Sequence, residues 1–288
     1  MPPGDERCAR VRVDISDSKS EHSLPLIAVV GDNTIDRYFG SECADFVGGN
    51  AVNVAAQLGL AGERVAYFGA VGTDPEARLI VQGLADTHVD ATRLVAMAGD
   101  TALTQIRLTD EGDRVFERED FGVTAEYFPS ASVIAEIAAA AWVHIGMLPR
   151  ASELRKAVRA INPQAIISQD CAVSSGYEDL TVAFESVSGR KPGGAEARAV
   201  AAIFAGAHLA IVTRGALGAL GHDGSIWWRQ DAVAVEVLDT TGAGDSFIAG
   251  FIAGRVRGMP MPDAIAQAAS WAAATCQHLA GYPQGGSR

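Results

Sequence analysis

Lysine is almost absent: Lys19, Lys156 and Lys191 are the whole complement of a 288-residue chain, and 23 basic against 35 acidic residues give a formal net charge of −12. No basic face is available to neutralise a phosphate backbone, which excludes nucleic acid and anionic membrane surfaces as partners. Cysteine is sparse too. Cys8, Cys43, Cys171 and Cys276 lie too far apart for a C-x-x-C pair, and a chain of this size needs no disulfide framework, so a reducing, cytoplasmic compartment is expected. The histidines show no H-x-x-x-H spacing, which argues against a protein-held zinc site. No uninterrupted run of about 20 apolar residues occurs, and the first 24 residues lack a secretory apolar core, so neither a membrane span nor a signal peptide is expected. Two familiar nucleotide loops are missing as well. There is no G-x-x-x-x-G-K-[ST], and Gly31-Asp32-Asn33 after the first apolar run is not G-x-G-x-x-G, which disfavours a P-loop NTPase and a nicotinamide dehydrogenase.

What is present is an ordinary globular composition, 48% hydrophobic and 20% charged, in a chain long enough for one large α/β unit. Apolar runs bounded by turn residues predict strands at Leu24–Val30, Arg64–Val71, Trp142–Ile145, Ala165–Ser168, Val182–Phe184 and Leu209–Thr213. Helical spacing falls between several of them, at 50–60, 75–86, 244–257 and 262–279. Such alternation predicts a mostly parallel sheet covered on both faces, a three-layer α/β/α sandwich. Two segments interrupt it. Residues 38–48 read as short extended pieces, and 101–118 as a hairpin turning at Asp110-Glu111-Gly112-Asp113, a β excursion suited to a lid. The expected organisation is a polar tail over 1–24 and one domain over 25–284 carrying that lid. Ser225–Arg229 and Ala232–Val237 are expected to pair antiparallel, and Gly189–Gly194 to form a surface loop.

The most informative segment is Asp239–Phe247, DTTGAGDSF, placed between an extended run and an apolar helix. Gly242, Ala243 and Gly244 let backbone N–H groups converge at a helix N-terminus, a site for a phosphate. Asp245, held by the same N–H groups, would stay ionised and accept a proton from an alcohol attacking a phosphoryl group. The alternative is that Asp245 caps the helix and nothing more, and spacing alone leaves the two even. A second polar cluster lies early: Asp32, Asn33, Asp36, Gly48, Gly49, Asn50 and Asn53.

VGGNAVNVAAQLGLAGERVAYFGAVGTD (residues 47–74) and DTTGAGDSFIAGF (239–251) resemble, in the right order, the two signatures of the ribokinase, or pfkB, family of carbohydrate kinases. The similarity runs from about Leu26 to Gly281. GDNTIDRY, GGNAVNVA, RVF at 114–116 and VTRGALGAL at 212–220 most resemble its fructoselysine 6-kinase branch.

The resemblance implies a ribokinase-like α/β sandwich with a β lid, dimerising through that lid, and an ATP-dependent kinase that phosphorylates a primary hydroxyl of a ketose-like sugar, a fructosamine such as fructoselysine being one candidate. Ribokinase, fructokinase, 2-keto-3-deoxygluconate kinase and nucleoside kinase activities, and a non-catalytic binding regulator, are the alternatives. It implies Asp245 as the base and Gly242, Ala243 and Gly244 as the anion hole, with Mg²⁺ on the ATP phosphates. Asp36 is implied to grip sugar hydroxyls, Gly48 and Gly49 to form a hinge, and Asn53 to touch substrate. Thr213, Gly215 and Gly218 fall beside the nucleotide, and Asp239 and Thr241 at a potassium site. Asn33, Asn50 and His144 are added as substrate-side candidates, each with a bland alternative: a loop or cap for the asparagines, a core residue for the histidine. Arg37 is the one cation of the early cluster, and Asp32 and Asp45 are candidates to attract an amine. The N-x-x-E motif of many relatives is missing after Phe184; Glu185 is a candidate to support a Mg²⁺-bound water or an exposed acid, and Asp170 the alternative acid.

Overall fold

The computed structural model describes residues 24–39, 43–108, 114–187 and 194–286. The expected N-terminal tail up to residue 23, the turn at 110–113 and the loop at 189–193 lie outside them. In chain order the elements are β1 (Ile27–Val30), β2 (Thr34–Phe39), β3 (Ala44–Gly48), α1 (Asn50–Leu60), β4 (Val65–Phe68), β5 (Ala70–Val71), α2 (Glu76–Asp86), β6 (Val95–Ala96), β7 (Leu103–Leu108) and β8 (Arg114–Asp120). There follow α3 (Ala131–Ala138), β9 (Trp142–Ile145), α4 (Ala151–Ile161), β10 (Ile167–Asp170), β11 (Val182–Ser186), α5 (Ala195–Phe204), β12 (Leu209–Thr213), β13 (Ala219–His222), β14 (Trp227–Gln230), α6 (Ala243–Val256) and α7 (Met261–Thr275).

The large sheet has eight strands in the order β14-β13-β12-β11-β10-β9-β1-β4, parallel from β4 through β12, with β13 and β14 antiparallel at one edge. Strand β1 shows why its sequence is apolar throughout. Ile27 and Val29 point into one core with α1, α6 and α7, whereas Ala28 and Val30 point into the other with α3, α4 and α5, so both faces of each residue pair leave water. Close approach is set by small residues. A Cβ on Gly250 of α6 would lie 3.0 Å from Ala268 Cα of α7, and residues 246–254 of α6 are buried all round. Among the described residues no helix is long and apolar enough to cross a membrane.

A second sheet, β3-β2-β7-β8, is the β excursion expected from the sequence, and it is longer, beginning at Thr34. Its inner face is held by Tyr38, Phe46, Ile106 and Ala280, with Tyr38 and Phe46 edge to face at 5.4 Å. The parallel β2–β7 register sets Asp36 opposite Thr104, aligning two polar side chains across the sheet.

Two expectations are corrected. The antiparallel partner of β14 is β13, not 232–237, which carries no strand pairing. The turn between them is closed by Asp223, whose Oδ1 accepts from the N–H groups of Ser225 at 2.9 Å and Ile226 at 2.7 Å, so the chain folds back directly onto β13. The strand expected at Ala165–Ser168 is shifted to 167–170, because Gln169 and Asp170, polar in sequence, are both buried at its end.

Helix α1 packs against the end of α2 through Gly59, where a Cβ would meet Thr87 O at 2.2 Å. Gly59→Ala is expected to lower the free energy of unfolding by about 1–3 kcal/mol through overpacking, measured by urea denaturation with an unchanged m-value.

Candidate active site

Parallel strands deliver their C-terminal ends to one edge of the sheet, where open α/β folds bind ligands. Strand β1 ends there in Gly31-Asp32-Asn33. The cap of α1 comes from this loop, since Gly49, its N-cap, has no side chain to supply. The backbone N–H of Asn50 donates to Asp32 Oδ2 at 2.8 Å and that of Ala51 to Asp32 Oδ1 at 3.0 Å. Gly49, at φ 108°, permits the approach; a Cβ there would lie 2.6 Å from Asn33 Cα.

So anchored, α1 presents Asn50 and Asn53, three residues apart on one face. Asn50 Nδ2 donates to Asp245 Oδ1 at 2.6 Å and to Asp170 Oδ2 at 2.8 Å, and Asn53 Nδ2 donates to Asp245 Oδ2 at 2.7 Å. Both amide carbonyl oxygens are buried without a partner. Gly146 and Gly281 make room for these amides, because a Cβ on either would fall 2.6 Å or 2.3 Å from them.

Asp245 is the third residue of α6. The helix opens with Gly242 at φ 70°, pressed so close to Gly281 that a Cβ would sit 2.3 Å from its Cα. The first helical hydrogen bond runs from Ser246 N–H to Gly242 O at 2.8 Å, so the N–H groups of Gly244 and Asp245 have no helical acceptor. Gly244 is exposed, and a Cβ on it would meet nothing within 4 Å. Packing does not require glycine there. Its effect is to leave clear the space in front of a helix N-terminus, which fits an anion.

The expectation that Asp245 is held by N–H groups of its own helix is corrected: its oxygens take the two asparagine amides instead, so it does not cap α6. Desolvation, with the Asp170 and Asp32 charges nearby, raises its pKa well above the usual carboxylate range, against the lowering effect of Asn53 and Asn50. Asp170 is pushed up to about 6, first by burial, despite hydrogen bonds from Ala172 and Asn50. Burial raises Asp32 too. Three carboxyls around Asn50 thus hold protons more tightly than in water, and Asp245 is correspondingly the stronger base.

Beside this cluster lies a cavity of about 160 Å³ walled by Asp32, Asn33, Asp36, Asn50, Thr104, Glu119 and their neighbours. Gly48 admits the Asp36 side chain, whose carboxylate a Cβ would strike at 2.3 Å. Asn33 reaches the wall but its amide donates to Ala70 O at 2.7 Å and Tyr67 Oη at 3.1 Å, which ties the β1 end to β5. Asn53 is set behind Asp245 and does not line the cavity; it positions the carboxylate. Sequence reasoning missed Glu119, Asp120, Phe121 and Met147, which line it as well. Only the hairpin register, which sets Glu119 opposite Thr104, signals two of them.

Several candidates are placed elsewhere. His144 is fully buried, with Nδ1 3.0 Å from Ser168 Oγ, its ring edge-on to Phe184, and its pKa pushed down to about 3 by desolvation; it is a core residue. Glu185 is not exposed. Its two oxygens take Tyr177 Oη and Arg198 Nη1, each at 2.5 Å. Asp45 and Glu76 both hold Arg37, at 2.7 and 3.1 Å, so neither Asp45 nor Arg37 is available as expected. Asp239 accepts from the N–H groups of Thr241 at 2.7 Å and Ala280 at 2.9 Å, closing the loop before α6 against the chain end. Thr213 ends β12 with its hydroxyl on Glu185 O at 3.3 Å; Gly215 opens the following turn at φ 55° and Gly218 closes it.

Residues 31–168 and 184–283 match the pattern of the pfkB family of carbohydrate kinases. The chain belongs to this family. It is 36% identical to the fructoselysine 6-kinase of Escherichia coli K12 over 259 residues, covering 88% of this chain and 98% of that protein. Identity to a fructosamine kinase of Bacillus subtilis is 31% over 265 residues, 88% of this chain and 91% of that one. The Arabidopsis thaliana ribokinase solved with ribose and ATP superposes with a TM-score of 0.81 at 19% identity, over 89% of this chain and 94% of that one. As a family member this kinase transfers a phosphoryl group from ATP to a sugar hydroxyl.

With Asp245 as base, kcat/KM of this carbohydrate kinase should fall with decreasing pH on a limb above the usual carboxylate range. Asn53 stabilises the ionised form, so Asn53→Ala should raise the Asp245 pKa and move that limb to higher pH. A limb unmoved in pH–rate profiles of kcat/KM would remove Asn53 from this role.

Proposed function

We propose that this kinase acts on a fructosamine, transferring the γ-phosphoryl group of ATP to the primary hydroxyl of a ketose carried on an amine. The observation that carries the reading is the acidity of the acceptor cavity: Asp36 and Glu119 line it with Asp32, which caps α1, and Asp120, which pairs with Arg118, and no lysine or arginine lines it. An ammonium gains from such a wall, and a phosphorylated sugar is repelled. Arg37 is already held by Asp45 and Glu76, as Arg118 is by Asp120. The curated relatives named for fructoselysine and fructosamine support the same acceptor class.

In this reading the reactive hydroxyl enters between Asp36 and Asn50. Asp245 takes its proton as the oxygen forms its bond to the γ-phosphorus, and the bond from that phosphorus to the bridging oxygen breaks, releasing ADP. The open N–H groups ahead of Gly244 and Asp245 receive the charge that develops on the transferring group. Thr213 and Gly215 belong to the nucleotide side. Bound Mg²⁺ would neutralise phosphate charge that no lysine or arginine of the cavity meets, and Asp170, the buried acid beside Asn50, would face it, since a cation there favours its ionised form; Glu185 is held by Tyr177 and Arg198. Asp239 closes the loop before α6, and with Thr241 it keeps the place proposed for potassium. A homodimer through the small sheet is part of the proposal, since the side chains of Val115, Glu117 and Arg118 on β8 are exposed.

The test is ADP release from ATP and Mg²⁺ over a panel of fructoselysine, other fructosamines, ribose, fructose, fructose 6-phosphate, 2-keto-3-deoxygluconate and adenosine. Fructosamines should give the highest kcat/KM, and Asp245→Asn should lower it by about 10²–10⁴-fold. Turnover confined to acceptors without an amine would overturn the substrate reading. Saturable binding with no turnover would favour a regulator.

A further inference from the structure

A second, larger cavity of about 440 Å³ adjoins the acceptor cavity and shares Asp32, Phe121 and Met147 with it. The inner chamber, about 160 Å³, is smaller than the roughly 300–1,000 Å³ that buries a drug-sized ligand whole. A sugar fills it and anything attached to the sugar must leave it. The further lining of the second cavity is mixed: Leu148, Pro149 and Val173 are apolar, Thr124, Ser174 and Ser175 are polar, and Arg150 and Ser152 stand at the start of α4.

Arg150 is held in an unusual way. Its backbone is left-handed, at φ 56° and ψ 33°, on the last residue before α4, a conformation that disfavours an ordinary side chain. Its guanidinium lies over the Phe128 ring at 3.9 Å, a stacking that holds the plane of the fork, and its side chain is 52% exposed. One loose ion pair, 3.6 Å to the exposed Glu153, satisfies it only in part. A planar fork with free N–H groups matches a carboxylate.

We propose that this outer chamber holds the amino-acid tail of the acceptor, with Arg150 pairing its carboxylate and the apolar wall covering its methylene arm. The charges suit such a tail: the acids of the inner chamber face the ammonium next to the sugar, and Arg150 lines only the second chamber. This rests on the fructosamine reading and makes it narrower, because the acceptor then has to be the adduct of a sugar with an amino acid and not with a simple amine.

The experiment compares kcat/KM for fructoselysine with that for a fructosyl-alkylamine of equal chain length lacking the carboxylate. Arg150→Gly relieves the backbone conformation, so folding is favoured, and Arg150→Lys keeps the charge without the fork. The wild type should prefer the carboxylate-bearing acceptor by about 10–100-fold, as expected for a charged hydrogen bond. That ratio should collapse toward one in Arg150→Gly and recover partly in Arg150→Lys. A wild type with no preference, or a preference intact in Arg150→Gly, overturns the proposal. Calorimetric titration with fructoselysine separates the two readings: binding weakened by Arg150→Gly without turnover keeps the chamber and discards the fructosamine kinase, whereas turnover indifferent to Arg150 discards the chamber alone. No binding at all discards both.

Discussion

The side-chain amide of Asn50 is the contact on which the site depends. Its two N–H bonds go to carboxylates from different parts of the fold, Asp245 of α6 and Asp170 of β10, while its backbone N–H is held by a third, Asp32. Like charges at this range repel in a desolvated setting, and the amide is what keeps them together. It costs no charge of its own. The result is a cluster poised to release protons reluctantly, the condition a general base for an alcohol requires.

The glycines around this cluster serve the same end. Gly49, Gly146, Gly242 and Gly281 bring backbone to within a Cβ's width of the asparagines, the β1 loop or one another. The segment after α7 is therefore part of the site's support, through Gly281 against Asn53 and Ala280 on Asp239. Gly244 differs, since it is open to solvent and touches nothing, and a helix terminus with free N–H groups faces that space. The two kinds of glycine divide the labour between packing and binding.

The small sheet completes the acceptor side. Its hairpin contributes Glu119, Asp120 and Phe121, and the end of β9 contributes Met147, so the cavity is built from both sheets and neither alone encloses it. Four acids, Asp32, Asp36, Glu119 and Asp120, stand in its wall.

Much of the fold was legible because its signals are local. Apolar runs that feed two cores at once read as buried parallel strands, and β9, β12 and α1 fall where the sequence places them. The glycine-aspartate turn at 242–245 was legible for the same reason, since a helix start needs only neighbours along the chain. What the sequence could not decide is which partner each polar side chain would choose. Asp245 looked like a group held by its own helix, yet its oxygens go to α1. Glu185 looked exposed and is paired with Arg198 and Tyr177 under a strand, and His144 looked able to face a sugar and is sealed in the core. Ala232–Val237 had the composition of a strand, but the turn closed by Asp223 folds β14 onto β13. The sequence by itself determined where backbone order and the glycine turn before α6 occur, through periodicity and glycine. Only the tertiary structure decided which charges meet, because hydrogen-bond partners more than 100 residues apart are set by packing and leave no mark on local sequence.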